Sequence, residues 1–303
     1  MKNKIVLIAG PTASGKSSLA NKLAKKIDGE IVNADSMQIY KDLEILTARP
    51  KPEKNDPNHH LYGFVNGEEL WSVGKWINEA KKVTEKILRK SSIPIIVGGT
   101  GLYFKAVTDG LSPIPDINRE IRVNLNEELN SKGLESLYNE LKFIDIKAYE
   151  SIDKNDQQRI LRALEVYRGS GKKISEYWKL DRTKVFEDNF IKIKLSTDRE
   201  ELYKRCDDRC DDMFQLGAVE EVKSLIELNY DNKAPVLNAI GVSEIKKYIK
   251  KRINIDEAKD LIKFRTHQYA KRQITWLKHQ MISWKSFSTQ ESDKIIDYFI
   301  KKL

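Results

Sequence analysis

Eight residues near the start of the chain, Gly10, Pro11, Thr12, Ala13, Ser14, Gly15, Lys16 and Ser17, have the types and spacing that grip a phosphate. In the pattern G-x-x-x-x-G-K-S the glycines let backbone N–H groups curl around the anion. Lys16 adds a point charge at the phosphate oxygens, and the Ser17 hydroxyl is placed to hold Mg²⁺. The flanks agree. Ile5 to Ala9 is a short apolar run that reads as a buried strand, and Leu19, Leu23 and Ile27 recur at helical spacing behind the loop. A bare glycine-rich turn would need neither flank. The loop therefore implies a diphosphate or triphosphate ligand, a nucleotide included, without saying what is done to it.

Two further positions could act on such a ligand. Asp35 follows the short strand Ile31-Val32-Asn33-Ala34 and has the chemistry of a general base or a Mg²⁺ ligand; a turn cap would use the same residue. Thr100 stands among Gly98, Gly99 and Gly101, after the apolar run Ile93 to Val97. Such small neighbours leave its hydroxyl open to a ligand, or mark a tight turn. No carboxylate ends that strand, where many nucleoside triphosphatases hold their metal, and this argues against routine ATP hydrolysis.

Two helical stretches carry polar stripes. In the first, Asn155, Arg159 and Arg162 share one face while Ile160, Ala163, Leu164 and Tyr167 share another that can pack. In the second, Arg265, Gln268, Arg272, Thr275 and His279 line up beside Trp276. Arginine, lysine and glutamine in such stripes meet phosphates and base edges, and aromatics offer stacking faces. Taken singly, each stripe is equally what a solvated helix shows.

The elements that must position these groups alternate between strand and helix up to residue 111, which predicts a parallel sheet covered by helices, an α/β fold. In open sheets of that kind ligands sit beyond the carboxyl ends of strands, where the phosphate loop, Asp35 and Thr100 all fall. Residues 50–66, with three prolines, read as a loop, and Val73, Ile77, Ala80 and Ile87 as one face of a helix. After Pro113 the periods are helical only, until Ile191 to Ser196 alternates as a returning strand. The expected organisation is a phosphate-loop core, 1–113 and 188–303, interrupted by an all-helical insertion, 114–187.

The chain has 303 residues and a net charge of +9, which favours a polyanionic partner. Cys206 and Cys210 are the only cysteines. Four apart on a helix, they suit neither a disulfide nor, without further ligands, a zinc site, and a reducing cytoplasm fits. The first apolar run is too short for a signal peptide, and nothing approaches a membrane span.

Taken together, the motifs resemble those of the tRNA dimethylallyltransferases, from Lys4 to about Lys278. They are the phosphate loop, Asp35-Ser36-Met37-Gln38-Ile39-Tyr40, Gly98-Gly99-Thr100-Gly101-Leu102-Tyr103, Asp156-Gln157-Gln158-Arg159 running into Arg162-Ala163-Leu164-Glu165-Val166, and Ala270-Lys271-Arg272-Gln273-Ile274-Thr275-Trp276. The resemblance implies a phosphate-loop NTPase-like core, Mg²⁺ as cofactor, and transfer of a dimethylallyl group from dimethylallyl diphosphate. The acceptor would be the N6 amine of adenosine 37, beside the tRNA anticodon. It makes Asp35 the base, puts Thr100 at the reacting centre and gives Arg209 the diphosphate. It puts the anticodon stem-loop against Asp35, Ser36, Met37 and Gln38; Thr100; Arg122; Gln158, Arg159, Ile160, Leu161 and Arg162; Leu237, Asn238, Ala239, Ile240, Gly241 and Val242; and Lys271, Arg272, Gln273, Ile274, Thr275, Trp276, Leu277 and Lys278. Val242 stands where the family often has tyrosine, and without a Cys/His zinc module the chain is similar to the bacterial form. A monomeric cytoplasmic enzyme is expected. The alternatives are a small-molecule kinase, a transferase acting on free adenine nucleotides, and a non-catalytic RNA-binding protein.

Overall fold

The computed structural model describes residues 4–187 and 189–303. The chain divides into two compact units, Met1–Thr108 with Val185–Leu303, and Asp109–Lys184. The division falls a few residues earlier at each junction than the sequence suggests. Leu111 and Thr183 exchange both backbone hydrogen bonds, at 3.2 and 2.9 Å, so the residues that close the insertion belong with it.

In the first unit, among the described residues, six strands form a wholly parallel sheet. They are β1 (Ile5–Ala9), β2 (Gly29–Asn33), β3 (His59–His60), β4 (Ile93–Gly98), β5 (Phe190–Ser196) and β6 (Lys285–Ser288), in the order β3-β2-β4-β1-β5-β6. The central strand β1 is buried at every position, as a parallel strand covered on both faces must be. The later strand β5 buries alternate residues, Ile191, Ile193 and Leu195. Helix α1 (Lys16–Ile27) lays Leu19 and Leu23 on Val6, Ile8, Ile31 and Val97. Helix α2 (Val73–Arg89) starts at Ser72, whose hydroxyl accepts the Lys75 N–H, and packs on β2 and β4. Helix α3 (Gly101–Asp109) follows β4 directly.

The second unit is helical, as its sequence periods require. Helix α4 (Arg119–Ile144) is broken at Gly133 (φ 78°, ψ 165°), and its two leucine groups fall on either side of that break. Leu125, Leu137 and Leu141 meet Ala148 of α5 (Ile146–Ser151), Ile160 and Leu164 of α6 (Gln157–Ser170), and Ile174 of α7 (Ile174–Tyr177). Arg168 of α6 clamps the two halves of α4, at 2.5 Å from Glu128 and 2.8 Å from Glu140.

Back in the first unit come α8 (Arg199–Gln215), α9 (Ala218–Glu227), α10 (Val242–Ile249) and α11 (Ile255–Gln280). They start on side-chain caps wherever the sequence supplies them: Asp198 for α8, and an Asn254/Glu257 capping box for α11. Two features escape sequence reasoning. The paired histidines, read as loop, form the edge strand β3. The last residues supply β6 and then α12 (Ser292–Lys302), whose Ile295 and Phe299 complete the core under α1.

Candidate active site

The strand order explains the site. Strands β2, β4 and β1 are neighbours, and Asp35, Thr100 and the phosphate loop follow their respective carboxyl ends. Three motifs far apart in sequence thus stand side by side on one edge of the sheet.

The phosphate loop has the backbone of an anion nest. Ala13 (φ 59°) and Gly15 (φ 76°) are both left-handed, and Lys16 and Ser17 open α1 with N–H groups that have no carbonyl one turn back. Gly15 is open enough for a side chain, so its need is conformational. Lys16 Nζ donates to the Pro11 carbonyl at 3.3 Å, at the mouth of the loop. Burial pulls Lys16 down to about 8; Asp35 resists that fall and Arg209 adds to it. The loop is therefore built to welcome negative charge. Arg209, on α8, donates to Thr12 Oγ1 at 3.3 Å, and burial lowers it too. The structure thus brings Arg209 to the phosphate loop across almost two hundred residues.

The Asp35 turn is tied down on both sides. Asn33 Oδ1 accepts the Asp35 N–H at 2.9 Å, and Asp35 Oδ1 accepts the Met37 N–H at 3.0 Å. Asp35 is thus a turn cap that still presents a carboxylate, and its charge is felt by Lys16 and by three tyrosines, Tyr62, Tyr103 and Tyr269. Burial, with that charge added, raises all three phenols. The hydroxyl of half-buried Thr100 accepts the Ser36 N–H at 2.9 Å and donates to Ser36 Oγ at 3.3 Å. It joins the end of β4 to the Asp35 turn and so orients the carboxylate.

The glycines beside Thr100 serve close packing. A side chain on Gly98 would meet the Ala34 carbonyl at 2.0 Å, one on Gly99 the Gln273 amide at 2.2 Å, and one on Gly101 the Trp276 indole at 2.0 Å. Gln273 itself was expected to meet RNA. It is instead buried and bridges two site loops, accepting the Thr12 N–H at 2.8 Å and donating to the Gly99 carbonyl at 3.0 Å.

The segments expected to meet tRNA divide by exposure. Gln158, Arg159, Asn238, Lys271, Arg272, Thr275 and Lys278 are exposed; Asp35, Ser36, Met37, Gln38, Arg122, Arg162, Leu237, Ile240, Ile274 and Trp276 are half-buried. Ile160, Leu161, Ala239, Val242, Leu277 and Gln273 are buried, and Gly241 with them, so their side chains pack inside the protein and offer RNA no face. Gln38 donates to the Thr47 and Ala48 carbonyls at 2.9 and 3.1 Å, which folds the following loop. Arg265 leaves the stripe to pair with buried Glu244 at 2.5 Å, and Glu244 in turn accepts the Gly241 N–H at 3.1 Å. The rest of the stripe, Gln268, Arg272, Thr275 and His279, lines one cavity of about 580 Å³ together with Lys271 and Trp276. Cys206 and Cys210 are buried free thiols, Cys206 packing with Ala13 beneath the phosphate loop.

Among the described residues no three His, Cys, Asp or Glu side chains converge as a metal site. A cation at this loop would draw its ligands from oxygen donors, the Ser17 hydroxyl and the ligand's own phosphate, which is the coordination Mg²⁺ prefers. The orphaned hydroxyl of Ser14, buried inside the loop without a hydrogen-bond partner, fits a site that acquires partners with its ligand.

The fold and site define a phosphate-loop enzyme with a carboxylate set beside its anion cradle. Comparison with known proteins narrows that class. A family model described as IPP transferase matches residues 38–280, and one described as isopentenyl transferase matches residues 3–64. The tRNA dimethylallyltransferase of Chelativorans sp. is 46% identical over 278 residues, covering 91% of this chain and 95% of that protein. The tRNA dimethylallyltransferase of Pelagibacter ubique is 44% identical over 305 residues, covering 100% and 96%. The crystal structure of a tRNA isopentenylpyrophosphate transferase from Bacillus halodurans is similar over 99% of this chain and 97% of that one, at TM-score 0.72 and 31% identity. A eukaryotic dimethylallyltransferase acting on tRNA aligns at TM-score 0.81 and 31% identity, over 95% and 74%. The chain belongs to the IPP transferase family. Among the described residues no helix is long and apolar enough to cross a membrane.

Proposed function

We propose that the protein transfers a dimethylallyl group from dimethylallyl diphosphate to the N6 amine of the adenosine beside the tRNA anticodon. Transfer of that group to tRNA is the activity for which its relatives are named, at 44 to 46% identity over most of the chain. The observation in this chain that carries the reading is the pairing of a cationic phosphate cradle with the Asp35 carboxylate, at the ends of strands that flank β4.

The chemistry follows from that pairing. The N6 amine is a weak nucleophile because its lone pair is delocalised into the ring. As nitrogen bonds the allylic carbon, the carbon–oxygen bond to diphosphate breaks and its electron pair leaves on the diphosphate. Lys16, Arg209 and the N–H groups of the loop meet the charge that grows there. The amine proton passes to Asp35, whose orientation Thr100 and Asn33 fix. Mg²⁺, held through Ser17, would supply further charge neutralisation on the leaving group. The adenosine must leave its stack to be reached, at a cost of about a few kcal/mol. The exposed Lys271, Arg272 and Lys278 offer phosphate contacts that offset it.

The deciding experiment supplies labelled dimethylallyl diphosphate and Mg²⁺ with either unmodified tRNA or AMP. Label in tRNA alone supports the reading. Label in AMP would assign a nucleotide prenyltransferase, and phosphoryl transfer from ATP a kinase.

A further inference from the structure

Helix α9 carries a carboxylate on its packing face. Ala218, Val222 and Leu225 are its buried residues, and Glu221 falls among them at helical spacing. Its hydrogen bonds go to backbone. Glu221 Oε1 accepts the Glu44 and Ile45 N–H groups at 2.5 and 2.7 Å, and Oε2 accepts the Leu46 N–H at 2.9 Å. Three successive amides aimed at one anion make a nest, here filled by the chain's own carboxylate. Burial raises Glu221 above the ordinary glutamate value, while the Leu46 and Ile45 amides and the charge of Arg49 resist that rise.

What the nest holds leads to Asp35. Residues 44–46 continue into Thr47 and Ala48, whose carbonyls both accept from the Gln38 side-chain amide, at 2.9 and 3.1 Å. Ala48 is left-handed (φ 49°), a conformation its own side chain disfavours, so this turn is held from outside. Gln38 closes the turn that begins at Asp35: Asp35 Oδ1 accepts the Met37 N–H at 3.0 Å, and the Gln38 carbonyl accepts the Gly63 N–H at 2.9 Å. On the far side, the Leu46 side chain lies against Gly241, where an added Cβ would meet it at 2.8 Å. Residues 44–46 are thus wedged between α9 and the start of α10.

We propose that Glu221 is a positioning residue for the reaction: through the 44–46 amides and the Gln38 side chain it sets the place of the Asp35 carboxylate. This rests on the reading above, in which Asp35 takes the amine proton. A brace for stability alone would end at residues 44–48; this one runs on into the turn of the base.

The test compares the full wild-type chain with Glu221→Gln, which keeps the size but turns an NH₂ group towards one of the amides. In single turnover with both substrates saturating, the rate should fall roughly five- to fiftyfold, as slight displacement of a reacting group does. The Kd for dimethylallyl diphosphate should stay within about twofold, because the phosphate loop is braced by Gln273 and Arg209 instead. Hydrogen–deuterium exchange should quicken in residues 35–49 and not in residues 10–17. Gln38→Met should lower the rate alike. Added to Glu221→Gln it should cost no more than the larger single effect, since both cut one chain of contacts. If Glu221→Gln fails to fold by circular dichroism, Glu221→Asp, one methylene short of the nest, takes its place. A wild-type rate, unchanged exchange at residues 35–38, or fully additive effects with Gln38→Met overturns the proposal. A loss of rate with an equal loss of diphosphate affinity makes Glu221 a general support of the fold and overturns it too. If the wild type labels AMP rather than tRNA, only the tRNA reading falls, and the same comparison is made with AMP. If Asp35→Asn keeps a wild-type rate, Asp35 is not the base, and the role of Glu221 falls with it.

Discussion

At the scale of single residues, the proposed reaction gives the chemistry to Lys16 and Asp35, and Lys16 gives it a pH signature. Lys16 sits at about 8 in the ligand-free fold, against an ordinary value of 10.5. Its charged form is disfavoured on folding, so the penalty is complete below pH 8. Stability from this group then rises between about 8 and 10.5, where the unfolded chain holds the proton and the folded one does not. Diphosphate binding runs the other way, because the anion wants the charged form. Its affinity should be level below pH 8 and weaken above it, by up to about tenfold per pH unit. Calorimetric titration across that window checks this, and Lys16→Ala should bind weakly and without the inflection. Asp35→Asn should leave tRNA affinity nearly intact and lower single-turnover rates by about 10²–10⁴-fold. A rate within threefold of wild type would remove Asp35 as the base. Both residues were legible in the sequence because the signal is local, a short strand followed at once by a reactive turn.

At the scale of elements, what the sequence hid was what one element does to another. Gln273 lies inside a motif that family resemblance gives to RNA, yet it faces inward and clasps Thr12 and Gly99. No local pattern announces a contact 261 residues distant in the chain. Thr100 stands at a strand end as its sequence predicts, but its partner Ser36 belongs to the turn after another strand, so its hydrogen bond could not be read. The opposite holds for Ile160 and Leu164. Their helical spacing already put them on a packing face, and they are buried. The segment 158–162 is thus split by its own periodicity into an exposed face, Gln158 and Arg159, and a buried one, Ile160 and Leu161. Gln273→Leu tests the clasp. It keeps the volume but leaves the Thr12 N–H and the Gly99 carbonyl unpaired, at a cost of about 1–3 kcal/mol. Urea unfolding should register that loss. The KM for dimethylallyl diphosphate should rise, and RNA affinity should change little if Gln273 touches no RNA.

At the scale of the whole molecule, the net charge of +9 lies in the phosphate-loop unit, since Asp109–Lys184 balances 14 Lys and Arg against 14 Asp and Glu, yet each unit exposes arginine. Arg159 belongs to the insertion and Arg272 to the phosphate-loop unit, and both are exposed. If both units hold one polyanion, tRNA affinity should fall steeply with salt. Arg159→Ala and Arg272→Ala should each flatten that slope by roughly 0.7–0.9 units per lost phosphate contact. Filter binding at several salt concentrations checks it, and unchanged slopes in both variants would leave these arginines as solvated helix faces.

The Gln273 clasp also has a bearing on how the molecule is made. The phosphate loop leaves the ribosome well before the glutamine that braces it, which is near the far end of a long helix. A nascent chain can form β1 and the loop early, but the brace arrives only after α11 has been synthesised. Strand β5, which flanks β1 directly, is also translated after the whole insertion. The helical insertion, whose core is built from its own residues, can fold while the unit around it is still waiting for its second half. Competence to bind diphosphate is therefore a late event in the life of the polypeptide. Messages broken before α11 would yield chains with an intact fingerprint and an unbraced cradle.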